Sequence, residues 1–483
     1  MSLFKSSISA VSATASAKIF TAIGAVVVLW LINEIAGKTG LGLAMLAYAL
    51  HYIFATAIAA FFQAITTYHV ARDPGHHSKK TGVCLTYGII VGFVVAYGAM
   101  IYADNIAALL GVENFAMWFS AMALMIPAFI ANAILSANER ARGNVPRTMM
   151  FFEILPMVFQ IGALAALLYW AIPSGGLGDS AALGWSETYI GWSFVLAYAL
   201  PFIMLYLRAP VTPRLKARLL SGWDIKHGLS ASVEQITHKS MHHAVLVFLG
   251  ILTMPWVVAE FALALRFANF LMLPKLAVSQ LQVPRMGRFL KDKNLAILVR
   301  EFDLMRMASL AMTILLSAVF LIIAPPLFGL FGGYDDVYTL FSLLAVAAVI
   351  RAGFGTISDY MGIAGYDSSV RALQIITFSF VIFGLAVMAP IYGGVGAGLV
   401  IVASLVFSLF VLAITALVKD GLNSFSFAAI LIMVGASGMI LSTGFGALPN
   451  DQAALGLLLA LLIGMVIDRD LLKSLYPAPP PSA

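Results

Sequence analysis

The chain has 483 residues, of which 61% are hydrophobic and only 10% are charged, and its mean hydropathy is +0.98. A soluble globular domain carries roughly a quarter charged residues, so this composition excludes a water-soluble protein. The net charge of +6 does not indicate nucleic-acid binding, because the lysines and arginines fall between apolar runs. The only cysteine, Cys84, excludes an intramolecular disulfide.

The apolar residues form runs of about twenty, which is the length a helix needs to cross the bilayer. A β-barrel would show strict alternation instead, so the sequence predicts an all-α polytopic membrane protein with about fourteen transmembrane helices. In chain order the predicted spans are 17–36, 41–66, 81–103, 116–137, 148–170, 189–208, 229–250, 258–283, 305–325, 338–363, 370–389, 395–418, 425–446 and 452–468. The first run lacks a small-residue cleavage site, so we interpret it as a retained span.

The loops between these runs alternate in charge. Loops on one side carry nearly all the lysines and arginines, among them Lys80 and Arg147, whereas the other side holds Lys38 together with acidic residues such as Asp104 and Asp336. By the positive-inside rule the basic side is cytoplasmic. An even number of spans then places both termini in the cytoplasm.

Two segments repeat at a spacing of 215 residues, Ala47–Tyr52 and Ala262–Phe267, and both read Ala-x-Ala-Leu-cation-aromatic. They pair span 2 with span 8, and a displacement of six spans preserves orientation in the membrane. We therefore predict an N-terminal six-helix lobe (1–228) and a C-terminal six-helix lobe (229–420). Residues 421–483 add spans 13 and 14 and a short disordered tail.

Several basic residues fall within spans, where an ionisable side chain costs several kcal/mol unless it faces a cavity or a partner. We predict that five of them line a substrate cavity: Arg266, Lys239, Arg351, His51 and Lys275. His51 aligns with Arg266 in the repeat, so both lobes would offer groups suited to phosphate or pyrophosphate. The alternative for the two arginines is a buried ion pair with Glu260 or Asp359.

Span 7 is the most polar predicted span. Its Glu234, His238 and His242 have helical i, i+4, i+8 spacing, and histidines titrate near neutral pH, so this face is a candidate for carrying or sensing protons. Glu34, near the outer end of span 1, is a second candidate for gating or ion coupling. The His-x3-His pair lacks a convergent third ligand, so we predict no metal and no cofactor.

Three segments carry a resemblance to a known family: Arg266–Asn269 with Leu273-Pro274, Ala324–Gly332, and the turn Pro390-Ile391-Tyr392-Gly393-Gly394-Val395-Gly396-Ala397-Gly398. The chain resembles the polysaccharide (O-antigen and exopolysaccharide) flippases of the multidrug/oligosaccharidyl-lipid/polysaccharide exporter superfamily. The resemblance implies two six-helix bundles, alternating access, and flipping of an undecaprenyl-pyrophosphate-linked oligosaccharide across the bacterial inner membrane. Membrane lipids, a polysaccharide polymerase and the export machinery would be its partners.

Three other functions stay open. A lipid II flippase of the same superfamily has an arginine at the place of Arg266, but also one where this chain has His51. A multidrug cation antiporter is expected to have an acidic cavity, whereas the charges within these spans are largely basic. A membrane enzyme such as a polymerase or ligase is expected to have a large extramembrane loop, and the longest here are 208–228 and 284–304. We therefore expect a transporter rather than an enzyme.

Overall fold

The computed structural model describes residues 2–72, 78–171, 180–208, 211–215, 220–292, 295–332, 334, 336–422 and 427–467. These residues are almost entirely helical and contain no β-strand. The helices are α1 Ser2–Arg72, α2 Ser78–Ile101, α3 Ala103–Leu110, α4 Phe115–Met122, α5 Met125–Ala141, α6 Val145–Met149, α7 Leu155–Ala171, α8 Ser180–Arg208, α9 Gly222–Glu234, α10 Met241–Leu252, α11 Pro255–Leu271, α12 Leu273–Lys291, α13 Leu295–Gly329, α14 Val337–Gly353, α15 Ile357–Ile363, α16 Asp367–Asp420, α17 Phe427–Gly444 and α18 Asn450–Ile467. Two π-helical turns, Met150–Ile154 and Gln235–Lys239, lie between α6 and α7 and between α9 and α10.

The two longest helices each contain two predicted spans. Helix α1 is broken at Gly37 (φ 69°, ψ −176°) and α16 at Gly393 (φ 55°, ψ −134°). Glycine adopts positive φ without the steric cost that a Cβ atom imposes, so the helix can kink at these positions without a separate loop. Spans 1 and 2 therefore come from α1, and spans 11 and 12 from α16.

The described part of every predicted span is mostly helical, and the all-α polytopic class is confirmed. By length and apolarity, seven helices among the described residues could each cross a membrane, or nine if two bent pairs each count as one span. The bent pairs are α11 with α12, at 46°, and α14 with α15, at 47°. Three shorter apolar helices, Met241–Leu252, Ala428–Gly444 and Asn450–Leu462, lie in the predicted spans 7, 13 and 14.

The chain divides into two compact units. The N-terminal unit comprises Met1–Leu263 with Ile382–Gly394, and the C-terminal unit comprises Ala264–Val381 with Val395–Ala483. The six-plus-six-span lobes bounded at residues 228 and 420 stay a prediction. The predicted tail, 468–483, lies outside the described residues.

The core of the N-terminal unit is α5. This helix packs against α1, α2 and α8, and nearly all its residues from Met125 to Glu139 are buried. The phenylalanine Phe129 and the aliphatic side chains of Ile130 and Ile134 fill the space between these helices. A helix that is apolar on all sides must be surrounded by others, which explains why α5 lies inside the unit.

The core of the C-terminal unit is α14, which packs against α13 and α17. Its apolar residues between Leu340 and Ile350 are buried on every side. Gly444 of α17 permits close approach, because a Cβ there would lie 2.5 Å from the Cβ of Ser342. A buried helix of this kind gives a rigid frame for the polar residues at its C-terminal end.

Candidate functional site

The two mid-span arginines share one exposure pattern. Every residue of Val257–Ala268 is buried except Arg266, and every residue of Leu340–Ile357 is buried except Arg351. Each arginine is partly open although the helix around it is covered. Neither makes an ion pair with a carboxylate in the described part of the chain. A guanidinium at membrane depth needs water, a partner or a ligand, which makes both positions candidates for contact with a ligand.

Arg351 is placed by the break in span 10. It lies in the last turn of α14, where the helix dipole favours a cation. The chain then bends at Gly355 (φ 63°), where an added Cβ would lie 3.2 Å from the Cβ of the buried Arg306. Thr356 donates from its hydroxyl to Oε1 of Gln282 on α12 at 2.6 Å. The break therefore ends α14 immediately beyond Arg351 and fixes the start of α15 against α12.

Four polar side chains of the C-terminal unit meet beside this break. Helix α12 carries Lys275 and Ser279 one turn apart, and it packs against α15, which carries Asp359. Ser279 donates from Oγ to Oδ2 of Asp359 at 2.6 Å. Lys275 is near enough to Arg351 and Asp359 for their charges to act on it, but it forms no ion pair with Asp359 among the described residues. All four side chains are partly buried, so we call Lys275, Ser279, Arg351 and Asp359 the α12–α15 cluster.

This arrangement differs from the buried ion pair considered for Arg351. The carboxylate of Asp359 is hydrogen-bonded to Ser279 and forms no ion pair with Arg351. No hydrogen bond or ion pair joins Arg266 to the α12–α15 cluster within the described residues. Lys275 and Arg351 are thus near enough for their charges to interact, whereas Arg266 lies on α11. Sequence reasoning missed Ser279, although its i+4 spacing from Lys275 was a usable signal.

His51 of the N-terminal unit is completely buried. Its Nδ1 lies 2.8 Å from the carbonyl oxygen of Ala47, to which an N–H at this position donates, and its ring lies 4.2 Å from that of Phe119. The imidazole is therefore fixed within α1 and faces no open space in this conformation. Its role as a cavity residue stays a prediction.

An aromatic cluster around span 7 was not predicted. The ring of His243 on α10 lies 4.2 Å from that of Tyr52 and 5.7 Å from that of Tyr48, both on α1. Tyr48 also packs on Phe194 of α8, at 5.1 Å. One turn from Tyr52, Thr56 approaches Ser240, with their hydroxyl oxygens 3.2 Å apart. Much of the polarity of span 7 therefore serves its packing against span 2.

The predicted coupling residues of span 7 lie around a π-helical turn. Glu234 is exposed at the end of α9, and His242 is partly buried at the start of α10. The turn Gln235–Lys239 separates them and interrupts the regular spacing of α-helix. The side chains of His238 and Lys239 lie outside the described residues.

The remaining coupling candidate, Glu34, is exposed three residues before the break at Gly37. A different carboxylate of the N-terminal unit, Glu153, lies in the π-helical turn before α7 and pairs with Lys18 of α1 at 2.5 Å. No three His, Cys, Asp or Glu side chains converge on a possible metal site in the part of the chain that the structure describes.

No protein-family model and no curated protein sequence matches the chain. Solved structures do resemble it. The lipid II flippase MurJ in an inward closed conformation aligns over 94% of this chain and 98% of that one, with a TM-score of 0.73 at 12% identity. The MATE multidrug transporter DinF-BH aligns over 87% and 97%, with a TM-score of 0.61 at 14% identity.

A third similar structure is a MOP superfamily transporter from Pyrococcus furiosus, described as having a binding pocket of reverse polarity. It aligns over 85% of this chain and 96% of that one, with a TM-score of 0.56 at 16% identity. The chain therefore has the fold of the MATE and MurJ transporters of this superfamily. At these identities the likeness concerns the fold, and the chemistry has to be argued from the residues of this chain.

Proposed function

We propose that this protein flips an undecaprenyl-pyrophosphate-linked oligosaccharide from the inner to the outer leaflet of the bacterial inner membrane, by alternating access. The product would serve exopolysaccharide, capsule or O-antigen synthesis. In this proposal the protein has both termini in the cytoplasm and acts as a transporter rather than an enzyme.

The observation that carries the proposal is the partial exposure of Arg266 and Arg351 on helices that are otherwise buried. A polyprenyl pyrophosphate brings two or more negative charges into a region of low dielectric constant, where opposite charges attract far more strongly than in water. Arginine binds phosphate oxygens two at a time, whereas lysine offers a point charge. Lys275, in the same unit as Arg351, would add a further cation there. The substrate-binding roles of Lys239 and His51 stay predictions.

The same charges argue against a multidrug antiporter. A lipophilic cation entering beside Arg266 or Arg351 would meet like charge without an adjacent carboxylate that pairs with either arginine in the described residues. Like-charge juxtaposition costs several kcal/mol in a desolvated site. We therefore expect no transport of a cationic dye by proteoliposomes that contain the protein.

Lipid II is the second candidate substrate, because the fold likeness to a lipid II flippase extends over nearly the whole chain. Lipid II also carries an undecaprenyl pyrophosphate, so the cationic residues alone do not separate the two substrates. Depletion of the protein in the native cell separates the two substrates. Loss of a surface glycan with accumulation of its lipid-linked repeat unit inside identifies the oligosaccharide, whereas cell lysis with accumulation of lipid II identifies the peptidoglycan precursor.

The residue-level experiment substitutes Arg266. A charge-assisted bidentate hydrogen bond contributes about 1.5–3 kcal/mol, so Arg266→Ala should reduce glycan export roughly 10- to 100-fold. Arg266→Lys should be intermediate. The matched control is Arg300→Ala, because Arg300 is an exposed arginine outside the predicted spans, and export should be unchanged. Membrane abundance of each variant is measured by immunoblot.

The competing explanation is that Arg266 only neutralises Glu260, which lies six residues earlier and is buried on the same helix. Under that explanation Glu260→Ala is as damaging as Arg266→Ala, and the double variant recovers export. Recovery would refute substrate binding by Arg266. Loss of export in both Arg266→Ala and the double variant, with normal abundance, supports it.

A further inference from the structure

One end of the N-terminal unit presents exposed positive charge from three helices. Arg72 is the last residue of α1, Lys79 lies in the first turn of α2, and Lys226 lies in the second turn of α9, and all three are exposed. The carboxylate nearest to Lys226 along α9 belongs to Asp224, which is completely buried and held by the N-cap residue Ser221. Within the described residues, the exposed charges at these three helix ends are therefore all positive.

Arg72 is held in place by a ladder of aromatic rings that joins α1 to α9. Its Cζ lies over the ring of Tyr68, 4.4 Å from the centroid. The Tyr68 ring lies 4.2 Å from that of Trp223, which in turn stacks on His227 at 4.8 Å. A guanidinium over a ring face keeps its N–H donors in its own plane, at the edge of the stack. Arg72 forms no ion pair with a carboxylate of the described chain, so these donors are available to an acceptor from outside.

The ladder lies at the depth of lipid headgroups. Arg72 comes six residues after the predicted end of span 2 at residue 66, and Trp223 comes six residues before the predicted start of span 7 at residue 229. Six helical residues measure about 9 Å, and the headgroup layer on each side of the hydrocarbon is roughly 5–8 Å thick. Tryptophan is enriched in this layer, and the indole of Trp223 is 47% exposed.

Helix α9 turns an apolar face outward as it enters the predicted span. Ile225 and Leu229 are one turn apart and both are exposed, and Lys226 follows on the same side of the helix. The opposite side packs on α1, because Gly228 is buried and a Cβ there would lie 2.6 Å from the ring of Phe61. The surface therefore has a cationic end at headgroup depth and an apolar stripe that continues toward the hydrocarbon.

We propose that Arg72, Lys226 and Trp223 form a binding site for the phosphate headgroup of an anionic phospholipid, whose acyl chains lie along the apolar stripe of α9. Basic pockets between helices at the membrane surface bind such headgroups, and the planar fork of Arg72 suits two phosphate oxygens. The bound lipid would contact α1 and α9 together and so stabilise the entry of span 7 into the membrane. This site is independent of the transported substrate.

The test measures the association of single lipid molecules with the full-length protein by native mass spectrometry from an uncharged detergent. The probes are a phosphatidylglycerol and a phosphatidylcholine with the same acyl chains, and the wild type should bind the first phosphatidylglycerol more tightly. One cation beside an anionic lipid changes association about fivefold. Arg72→Gln and Lys226→Gln should therefore each weaken phosphatidylglycerol binding about fivefold, and together about 25-fold, with phosphatidylcholine binding unchanged.

The matched control is Lys419→Gln in the C-terminal unit. Lys419 is exposed and its Nζ lies 4.4 Å from the ring centroid of Tyr366, the same distance as for Arg72 on Tyr68. A carboxylate is at hand there, because Tyr366 donates from its hydroxyl to Oδ1 of Asp420 at 2.8 Å. Removing this compensated cation should leave phosphatidylglycerol binding unchanged.

A further variant separates the geometry of the site from its net charge. Tyr68→Leu keeps every charge and removes the ring that holds Arg72. It should weaken phosphatidylglycerol binding about 2- to 5-fold, whereas Arg72→Lys, which keeps the charge without the planar fork, should fall between the wild type and Arg72→Gln.

Wild-type binding of phosphatidylglycerol by both Arg72→Gln and Lys226→Gln overturns the inference. Equal losses for the two lipids also overturn it, because they report altered packing rather than recognition of charge. Displacement of the lipid by equimolar glycerol 3-phosphate would identify a site for free phosphate and refute the lipid assignment. Arg266→Ala should bind phosphatidylglycerol as the wild type does, and a loss in that variant alone would place the lipid at the proposed substrate site instead.

Discussion

Asp224 joins three helices of the N-terminal unit outside the predicted spans. Its carboxylate is completely buried and caps α9, accepting hydrogen bonds from the backbone N–H of Ser221 at 2.8 Å and from its hydroxyl at 2.9 Å. It also lies 2.5 Å from Nε2 of His69 on α1 and 3.4 Å from Nζ of Lys80 on α2. Substituting Asp224→Asn removes the charge and keeps the shape, so it isolates the electrostatic contribution.

The magnitude follows from the pKa of Asp224. Burial acts to raise this pKa, but the hydrogen bonds from Ser221 and His69 outweigh it and lower the pKa from the usual 3.8 to about 2. Each pKa unit corresponds to about 1.4 kcal/mol, so the ionised carboxylate stabilises the folded state by about 2 kcal/mol. Because the folded pKa lies below the unfolded one, this contribution is present above pH 3.8 and is lost as the pH falls toward 2.

The assay is the free energy of unfolding by urea in detergent micelles, measured from pH 7 to pH 2. We expect Asp224→Asn to lower it by about 2 kcal/mol at pH 7, and the two proteins to converge near pH 2. Lys79→Gln is the control, because Lys79 is exposed beside Lys80 and surface charges contribute little. Equal stability of Asp224→Asn and wild type at pH 7, or a difference that persists unchanged to pH 2, would refute the reasoning.

Three further predictions concern other parts of the molecule. Gly355→Ala should lower the free energy of unfolding by about 1–2 kcal/mol, because alanine is strained at positive φ. Gly362→Ala is the control, because a Cβ there would make only ordinary contacts. Equal free energies of unfolding for the two variants would show that Gly355 is not strained when substituted. Replacing both His238 and His242 by Gln should flatten the pH dependence of transport between about pH 5 and 8, and an unchanged profile in proteoliposomes would exclude them from coupling. A reporter fused at Asp336 should be active outside the cytoplasm, and cytoplasmic activity there would break the predicted span register.

The break at Gly37 illustrates how far the sequence alone could go in the fold. Spans 1 and 2 were separable by their apolar runs, because a helix must satisfy its own backbone and match the bilayer thickness wherever it lies. The continuity of α1 through Arg72 was not predictable, since a single glycine with positive φ can kink a helix without a loop. The π-helical turn Gln235–Lys239 was missed for a similar reason, because apolar periodicity carries no signal for one extra residue in a turn.

The candidate site divides in the same way. Sequence alone singled out Arg266 and Arg351, because a charge within an apolar run is costly wherever the run packs. Only the tertiary structure decided that Arg266 and Arg351 are partly exposed on otherwise buried helices and that His51 is fully buried. The exposure of a side chain depends on which other helices cover it, and those helices come from distant parts of the chain.

The partner of Asp359 shows the physical reason most clearly. From the sequence, Asp359 could pair with any of several basic residues, and the nearest of them along the chain was Arg351. The structure gives it Ser279, 80 residues away, through the packing of α12 against α15 and the bend at Gly355. The length of the hydrophobic runs and the pattern of charges are local properties of the sequence. They were sufficient to predict the membrane class, the spans and the basic residues within the spans. Which polar groups meet depends on helix packing, and only the folded chain decided it.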